Sequence, residues 1–405
     1  MTSNSLVTLG VLLGAGLAAR SVAALIGVPE ILLLVLVGVL IGPHAISLVK
    51  VPAGSTGAQL VFTLGVSAIL FYGGLNLSLQ VLRRVATSLT LLVLPGVLLT
   101  AVIAGTATRL AFDLPWSDSM LVGAVLSPTD PAILIPLFLG ARLRPKVAQT
   151  VIAESAFNDP TGAVLTLTLA STVLTGSHSL AHPVTDFIRE LAESAGIGIV
   201  AGVLLSAAVS SHRVGIWRDS AGIAALAIIT IAYVSLDSAG GSGYLGAFLA
   251  GLIVGNMDLL GLRMHDHHAI DLKRFAWQIA DVVTLLVFLV LGTNLPIGEL
   301  PAHLAGCIAV VAALLLVARP LTVLACTLPD RRARWSRAEL VFLCWTRETG
   351  VVPAALVGLL AARGVPGEAV LASVVTLAVV ATLLFQAMPA RRLAAYLGLL
   401  EHGPR

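Results

Sequence analysis

LVGAVLSPTDPAILIPLFLG, residues 121–140, is an apolar run with its middle broken. Ser127-Pro128-Thr129-Asp130-Pro131 sets two prolines around a hydroxyl and a carboxylate. Each proline removes a backbone donor and clashes with the preceding turn, so a helix is expected to stop here. Such bare backbone is tolerated at membrane depth only when it is buried in protein or lines a wet cavity. A second run carries the same signal: TRETGVVP, Thr346 to Pro353, places Gly, Pro and charge in mid-span.

The rest of the chain makes the membrane the natural setting for these breaks. Its 405 residues are 58% hydrophobic and 11% charged, with mean hydropathy +1.00. Soluble domains carry about 25% charged residues. Apolar runs long enough to cross about 30 Å of hydrocarbon recur from end to end. Thirteen are expected, at about 5–26, 29–49, 57–77, 86–110, 118–140, 146–175, 190–211, 219–237, 243–258, 269–292, 302–328, 338–362 and 367–389. The fold class is therefore an all-α polytopic membrane protein with a single transmembrane domain over 1–390 and a short tail, 391–405. The first run has neither a basic flank nor a cleavage site and reads as a retained helix rather than a signal peptide. Gly176 to Arg189 reads as a loop, with His178 and His182 as polar filler. Cys307, Cys326 and Cys344 have neither disulfide nor metal-ligand spacing and read as core thiols.

An odd number of spans puts the termini on opposite sides. Of the 24 Lys and Arg residues, Lys50, Arg109, Arg189 and Arg363 fall on one side, and Arg319 and Arg347 lie within spans. All the others fall on the side of the C-terminus. Basic loops stay cytoplasmic, which places the N-terminus outside and the C-terminus inside a cytoplasmic (inner) membrane. The charge serves topology and gives no sign of nucleic-acid binding.

If the seventh run links two sets of six, the fifth and twelfth are equivalent. Paired interrupted helices in matching places indicate inverted repeats, about 5–175 and 219–389 around a linking helix at about 190–211, with a site at the midplane. Ionisable groups at that depth are costly and are paired or functional. They are Asp130, Glu154, Asp159, Arg319 and Arg347, with Glu348 and Asp281 as further members. In ESAFNDPTGAV, Glu154 to Val164, Ser155 and Asp159 share one helix face and Glu154 and Asn158 the adjacent one. Pro160 should weaken the ladder and free nearby carbonyls. Thr129, Asp130, Ser155 and Asp159 supply oxygen ligands of the kind hard cations such as Na⁺ prefer. Two carboxylates in low dielectric repel, which favours protonation of one of them. A proton and a small monovalent cation then compete for the same charge, and Glu154 is left to pair with a buried arginine, Arg319.

At these residues the sequence resembles the NhaP-type sodium/proton antiporters of the monovalent cation/proton antiporter superfamily. SPTDP at 127–131 is similar to that family's fifth-helix motif and ESAFNDP at 154–160 to its sixth. GSGYLGAFLAGLIVGN at 241–256 and FLVLGTNL at 288–295 resemble its ninth- and tenth-helix stretches. The resemblance implies a homodimer, elevator-like movement of a six-helix core, exchange of Na⁺, Li⁺ or K⁺ for H⁺ in pH homeostasis, and no cofactor. It implies that Thr129, Asp130, Ser155 and Asp159 hold the ion. It also implies that Asn158 goes with electroneutral one-for-one exchange and that Glu154 pairs with Arg319. Arg347 matches the arginine of a Gly-x-Arg-Gly segment, which here reads Cys-Trp-Thr-Arg-Glu-Thr-Gly. Two other classes compete. A sodium-coupled anion symporter would use the same fold. An intramembrane serine protease would use Ser242 of Gly-Gly-Ser-Gly, but no histidine lies at mid-membrane depth to serve as its base.

Overall fold

The structure, a computed structural model, describes residues 2–43, 45–52, 55–79, 86–129, 143–175, 181–211, 215–295 and 300–400. The described residues form helices and no strands. In chain order these are α1 (Thr2–Ile26), α2 (Glu30–Ile41), α3 (Thr56–Leu75), α4 (Ala86–Val93), α5 (Pro95–Phe112) and α6 (Trp116–Leu126). They continue as α7 (Pro145–Thr175), α8 (Ala181–Val209), α9 (Ala221–Ala239), α10 (Gly243–Gly255), α11 (Asp266–Thr293) and α12 (Leu300–Ala313). The last are α13 (Arg319–Thr327), α14 (Arg337–Trp345), α15 (Val351–Ala362), α16 (Glu368–Thr382) and α17 (Ala390–Tyr396). A π turn, Leu314–Ala318, joins α12 to α13, and another, Leu383–Ala387, follows α16.

Each of the thirteen expected runs contains helix. Among the described residues, eight helical stretches are long and apolar enough to cross a membrane. The outer surface suits hydrocarbon: Leu6, Leu25, Leu110, Ile223 and Leu316 are all exposed. Helix association in such a setting rests on close packing rather than on expulsion of water, so small residues decide it. A Cβ on Gly74 would lie 2.2 Å from the Phe248 carbonyl oxygen, and one on Gly251 would lie 2.1 Å from that of Phe71, which fixes α3 against α10. Gly38 and Gly292 meet in the same way between α2 and α11. The Asn residues that end the two Gly-rich motifs close these pairs. Asn256 accepts from the Leu79 N–H and donates to the Leu77 carbonyl, and Asn294 donates to the Val51 carbonyl.

One expectation needs correction. The linking helix runs over Ala181–Val209 rather than about 190–211, so most of the expected 176–189 loop is helical. Pro183 falls in its first turn, where a missing N–H costs no internal hydrogen bond. The sixth run, by contrast, is helical throughout as expected, and α7 passes through Pro160 with its ladder weakened but unbroken. Only the carbonyl four residues back loses its donor, and 31 residues of helix tolerate that loss.

The loop between α13 and α14 is fastened by one carboxylate. Asp330 Oδ2 accepts from the Ser88 N–H and hydroxyl, and Oδ1 accepts from the N–H groups of Arg332 and Ala333. Burial alone would push this carboxyl up, but the hydrogen bonds from Ser88, Ala333 and Arg332 outweigh it and hold the group below its ordinary value. A depressed folded-state value means that the contribution is complete above the unfolded-state range, about pH 4, and is lost as pH falls through the folded value. Asp330→Asn should therefore lower the melting temperature at pH 7. The gap to wild type should close as pH drops below about 4, and thermal melts across pH in detergent check this.

Candidate functional site

Both interruptions are present. Helix α6 ends at Leu126, and Ser127 to Thr129 continue without helical structure. On the other side, α14 ends at Trp345, Thr346 to Gly350 are extended and buried, and α15 begins at Val351. The two breaks meet. The Arg347 guanidinium donates through Nη2 to the Leu126 carbonyl, to that of Ser127 at 3.3 Å and to that of Pro128 at 3.5 Å. These carbonyls belong to the end of α6, where they lack intrahelical donors and carry the negative end of the dipole. A fixed cation answers both needs.

The second buried arginine does the same for the second break. Arg319 Nε donates to the Leu343 carbonyl at 2.9 Å, in the last turn of α14. Its Nη1 and Nη2 grip both oxygens of Glu154, the latter contact at 3.1 Å. Arg319 and Glu154 are each about 97% buried, and the fork-to-fork geometry gives two charge-assisted hydrogen bonds. The pairing expected of Glu154 is thus present, and the arginine it neutralises also caps a half-helix.

Opposite this pair, α7 turns its oxygen-bearing face toward the first break. Thr129 Oγ1 and Ser155 Oγ are 2.9 Å apart. Asn158 holds Thr129 from two directions: its Oδ1 accepts from the Thr129 N–H at 3.1 Å, and its Nδ2 donates to Thr129 Oγ1 at 2.8 Å. The approach is close because residue 162 is glycine; a Cβ there would lie 2.3 Å from the Pro128 ring. Asp159 is buried on the Ser155 face, one turn further along α7. The structure therefore brings Thr129, Ser155 and Asn158 into direct contact with Asp159 beside them. Asp130 follows Thr129 in the chain but lies outside the described residues, so its place relative to Asp159 is not described. Phe157, on another face, packs edge-on against Phe248 and holds α7 to α10.

The remaining sequence candidates go elsewhere. Asp281 is not near this cluster of contacts; it accepts two hydrogen bonds of 2.7 Å from Arg20, which also donates to Glu30. Arg20, counted from the sequence only among the basic residues on the side of the C-terminus, sits within α1 and ties α1, α2 and α11 together. One signal for it existed: it is the sole charge between Leu6 and Ile26. Glu348 is buried within the second break. Ser242 is the N-cap of α10, accepting from the Leu245 N–H while its own N–H donates to Ser194 Oγ at 2.7 Å. A hydroxyl engaged in capping is structural.

Removing Glu154 leaves the Arg319 charge buried and uncompensated, which typically costs about 3–5 kcal/mol. Glu154→Ala should melt well below wild type in detergent; melting like wild type would mean that the pair carries little of the fold.

Comparison with known proteins agrees with this geometry. Residues 9–394 match the family model described as "Sodium/hydrogen exchanger, transmembrane". A K⁺/H⁺ antiporter NhaP from Alkalimonas amylolytica is 27% identical over 99% of this chain and 68% of its own length. A probable Na⁺/H⁺ antiporter from Methanocaldococcus jannaschii is 26% identical over 86% of this chain and 82% of its own. A K⁺/H⁺ antiporter from Shewanella oneidensis is 30% identical over 93% of this chain, which spans 64% of that protein. The solved structure of a sodium proton antiporter from Methanocaldococcus jannaschii at pH 8 superposes with TM-score 0.79 at 25% identity, covering 96% of this chain and 97% of that one. The chain belongs to the sodium/hydrogen exchanger family, whose members are secondary transporters rather than enzymes, and within it is of the NhaP antiporter type.

Proposed function

We propose that this chain exchanges Na⁺, Li⁺ or K⁺ for protons across a cytoplasmic membrane, one for one, by competition at buried carboxylates. The observation that carries the reading is the oxygen cluster at the first break: Thr129 and Ser155 hydroxyls in contact, Thr129 held by Asn158, with Asp159 beside them. Hydroxyl, carboxylate and backbone oxygens are hard donors suited to an alkali cation. Asp159, with Asp130 as the second carboxylate, would carry the charge that either H⁺ or the metal ion neutralises. The neutral amide of Asn158 adds no further charge to the exchange.

Internal symmetry supports alternating access by two inverted repeats. Packing of the second predicted span on the tenth (α2 on α11) is mirrored by packing of the third on the ninth (α3 on α10), each through glycine pairs closed by an asparagine. The fourth and eleventh meet at Thr100 and Thr322, 3.1 Å apart. The fifth and twelfth meet at Arg347. A two-fold axis relating two six-helix halves would generate this set of contacts. Thirteen crossings, an outside N-terminus, an elevator-like core and a homodimer complete the reading.

Everted vesicles with a pH-sensitive dye test it: adding Na⁺, Li⁺ or K⁺ should collapse an imposed pH gradient. Asp159→Asn, isosteric and uncharged, should abolish the response by more than about tenfold while leaving the protein folded in the membrane. Retained cation-driven proton release in that variant would overturn the site. Cation uptake indifferent to the pH gradient would favour a sodium-coupled anion symporter instead.

A further inference from the structure

A groove of about 720 Å³ opens on the outer face of the bundle, away from the ion cluster. One wall is the α12–α13 stretch with Val311, Leu315 and Leu324, the floor is α14 with Leu340 and Trp345, and the other wall is α16 with Leu377. Both walls are widened by π turns, at Leu314–Ala318 and Leu383–Ala387. Single π turns inside helices concentrate at functional sites. The lining side chains are hydrocarbon except for the Gln386 amide, the Cys344 thiol and the Trp345 indole N–H. Its rim residues Leu316 and Phe385 are among the most exposed apolar side chains, so the groove faces the lipid.

Hydrocarbon alone gives such a groove little selectivity, because lipid tails are as apolar as leucine. Selectivity comes from its mouth. Arg337 lies three and four residues before Leu340 and Val341, so it extends the groove-lining face of α14 by one turn. Arg331, Arg332, Arg334 and Arg337 are all exposed on the adjoining segment, as are Arg391 and Arg392 after the second π turn. The neighbouring acids are turned inward: Asp330 is held by Ser88, and Glu339 by Lys146 and the Ser336 N–H. The mouth is left strongly basic at the point where the groove meets the membrane surface.

We propose that this groove binds one anionic phospholipid, with an acyl chain along the trough and its phosphate at Arg337. The occupant would bear on the two segments that carry the buried arginines, since Trp345 precedes the break that holds Arg347 and Pro320 follows Arg319. The proposal stands independently of the exchange chemistry.

Purified, delipidated full-length chain is offered equal amounts of phosphatidylglycerol and phosphatidylcholine and examined by native mass spectrometry. One phosphatidylglycerol per chain should be retained, with an advantage of about fivefold per basic side chain at the phosphate. Arg337→Gln should remove that advantage, and Ala381→Phe, which fills the trough, should lower retention of both lipids. Cys344 gives a readout that needs no variant, because Cys307 and Cys326 are buried. Its maleimide labelling should slow with phosphatidylglycerol and not with phosphatidylcholine. Equal retention of the two lipids, or unchanged Cys344 labelling, would overturn the proposal. So would lipid-free protection that grows with protein concentration, which would mark a second copy of the chain as the occupant.

Discussion

Interrupting a helix at membrane depth strands carbonyl oxygens where lipid offers no hydrogen-bond donor, and the organisation of this protein follows from how those oxygens are satisfied. Each of the two interrupted helices ends on a buried arginine from elsewhere in the chain. Arg347 takes the last carbonyls of α6, and Arg319 takes Leu343 of α14. Each contact satisfies orphan acceptors and neutralises a helix dipole in one stroke. Guanidinium suits the task because its five donors can serve several carbonyls, or a carbonyl and a carboxylate together.

The cost of burying two cations then shapes what surrounds them. Glu154 neutralises Arg319, which places the first carboxylate of α7 in a structural role; in the proposed exchange it is Asp159, on the adjacent face, that takes the ion. Asn158 completes the division. Its amide donates to and accepts from Thr129 and so fixes the first segment of the break against α7, and because it donates to Thr129 Oγ1 it leaves that hydroxyl's own proton available to another acceptor, as a carboxylate would not. Neutralisation of a buried arginine, anchoring of the break and the proposed ion binding are thus spread over neighbouring positions of one helix.

Much of this was legible in the sequence, because its signals are local. Hydropathy marks helical runs, Pro and Gly mark breaks, and spacing of three or four marks shared faces. Helix α7 runs through Pro160 as one span, since its packing and length outweigh one missing hydrogen bond. Pro183 misled, because a proline in a first turn looks like one in a loop. The partners of Arg347 were not legible at all. They are backbone carbonyls, which carry no residue identity, and they lie some 220 positions away in the chain. The pairing of Arg20 with Glu30 and Asp281 escaped for a related reason: charges from three separate helices show no partnership until the helices are in place.

The central claim is that one buried negative site holds either a proton or an alkali cation and never both. The measurement that bears on it most directly is the cation concentration giving half-maximal exchange, followed across pH in reconstituted vesicles. Competition requires that concentration to rise about tenfold for each pH unit below the site's own proton affinity, with the maximal rate approached again at saturating cation. A half-saturating concentration that stays constant while the rate falls with pH would show that protons act at a separate place, and would contradict the account.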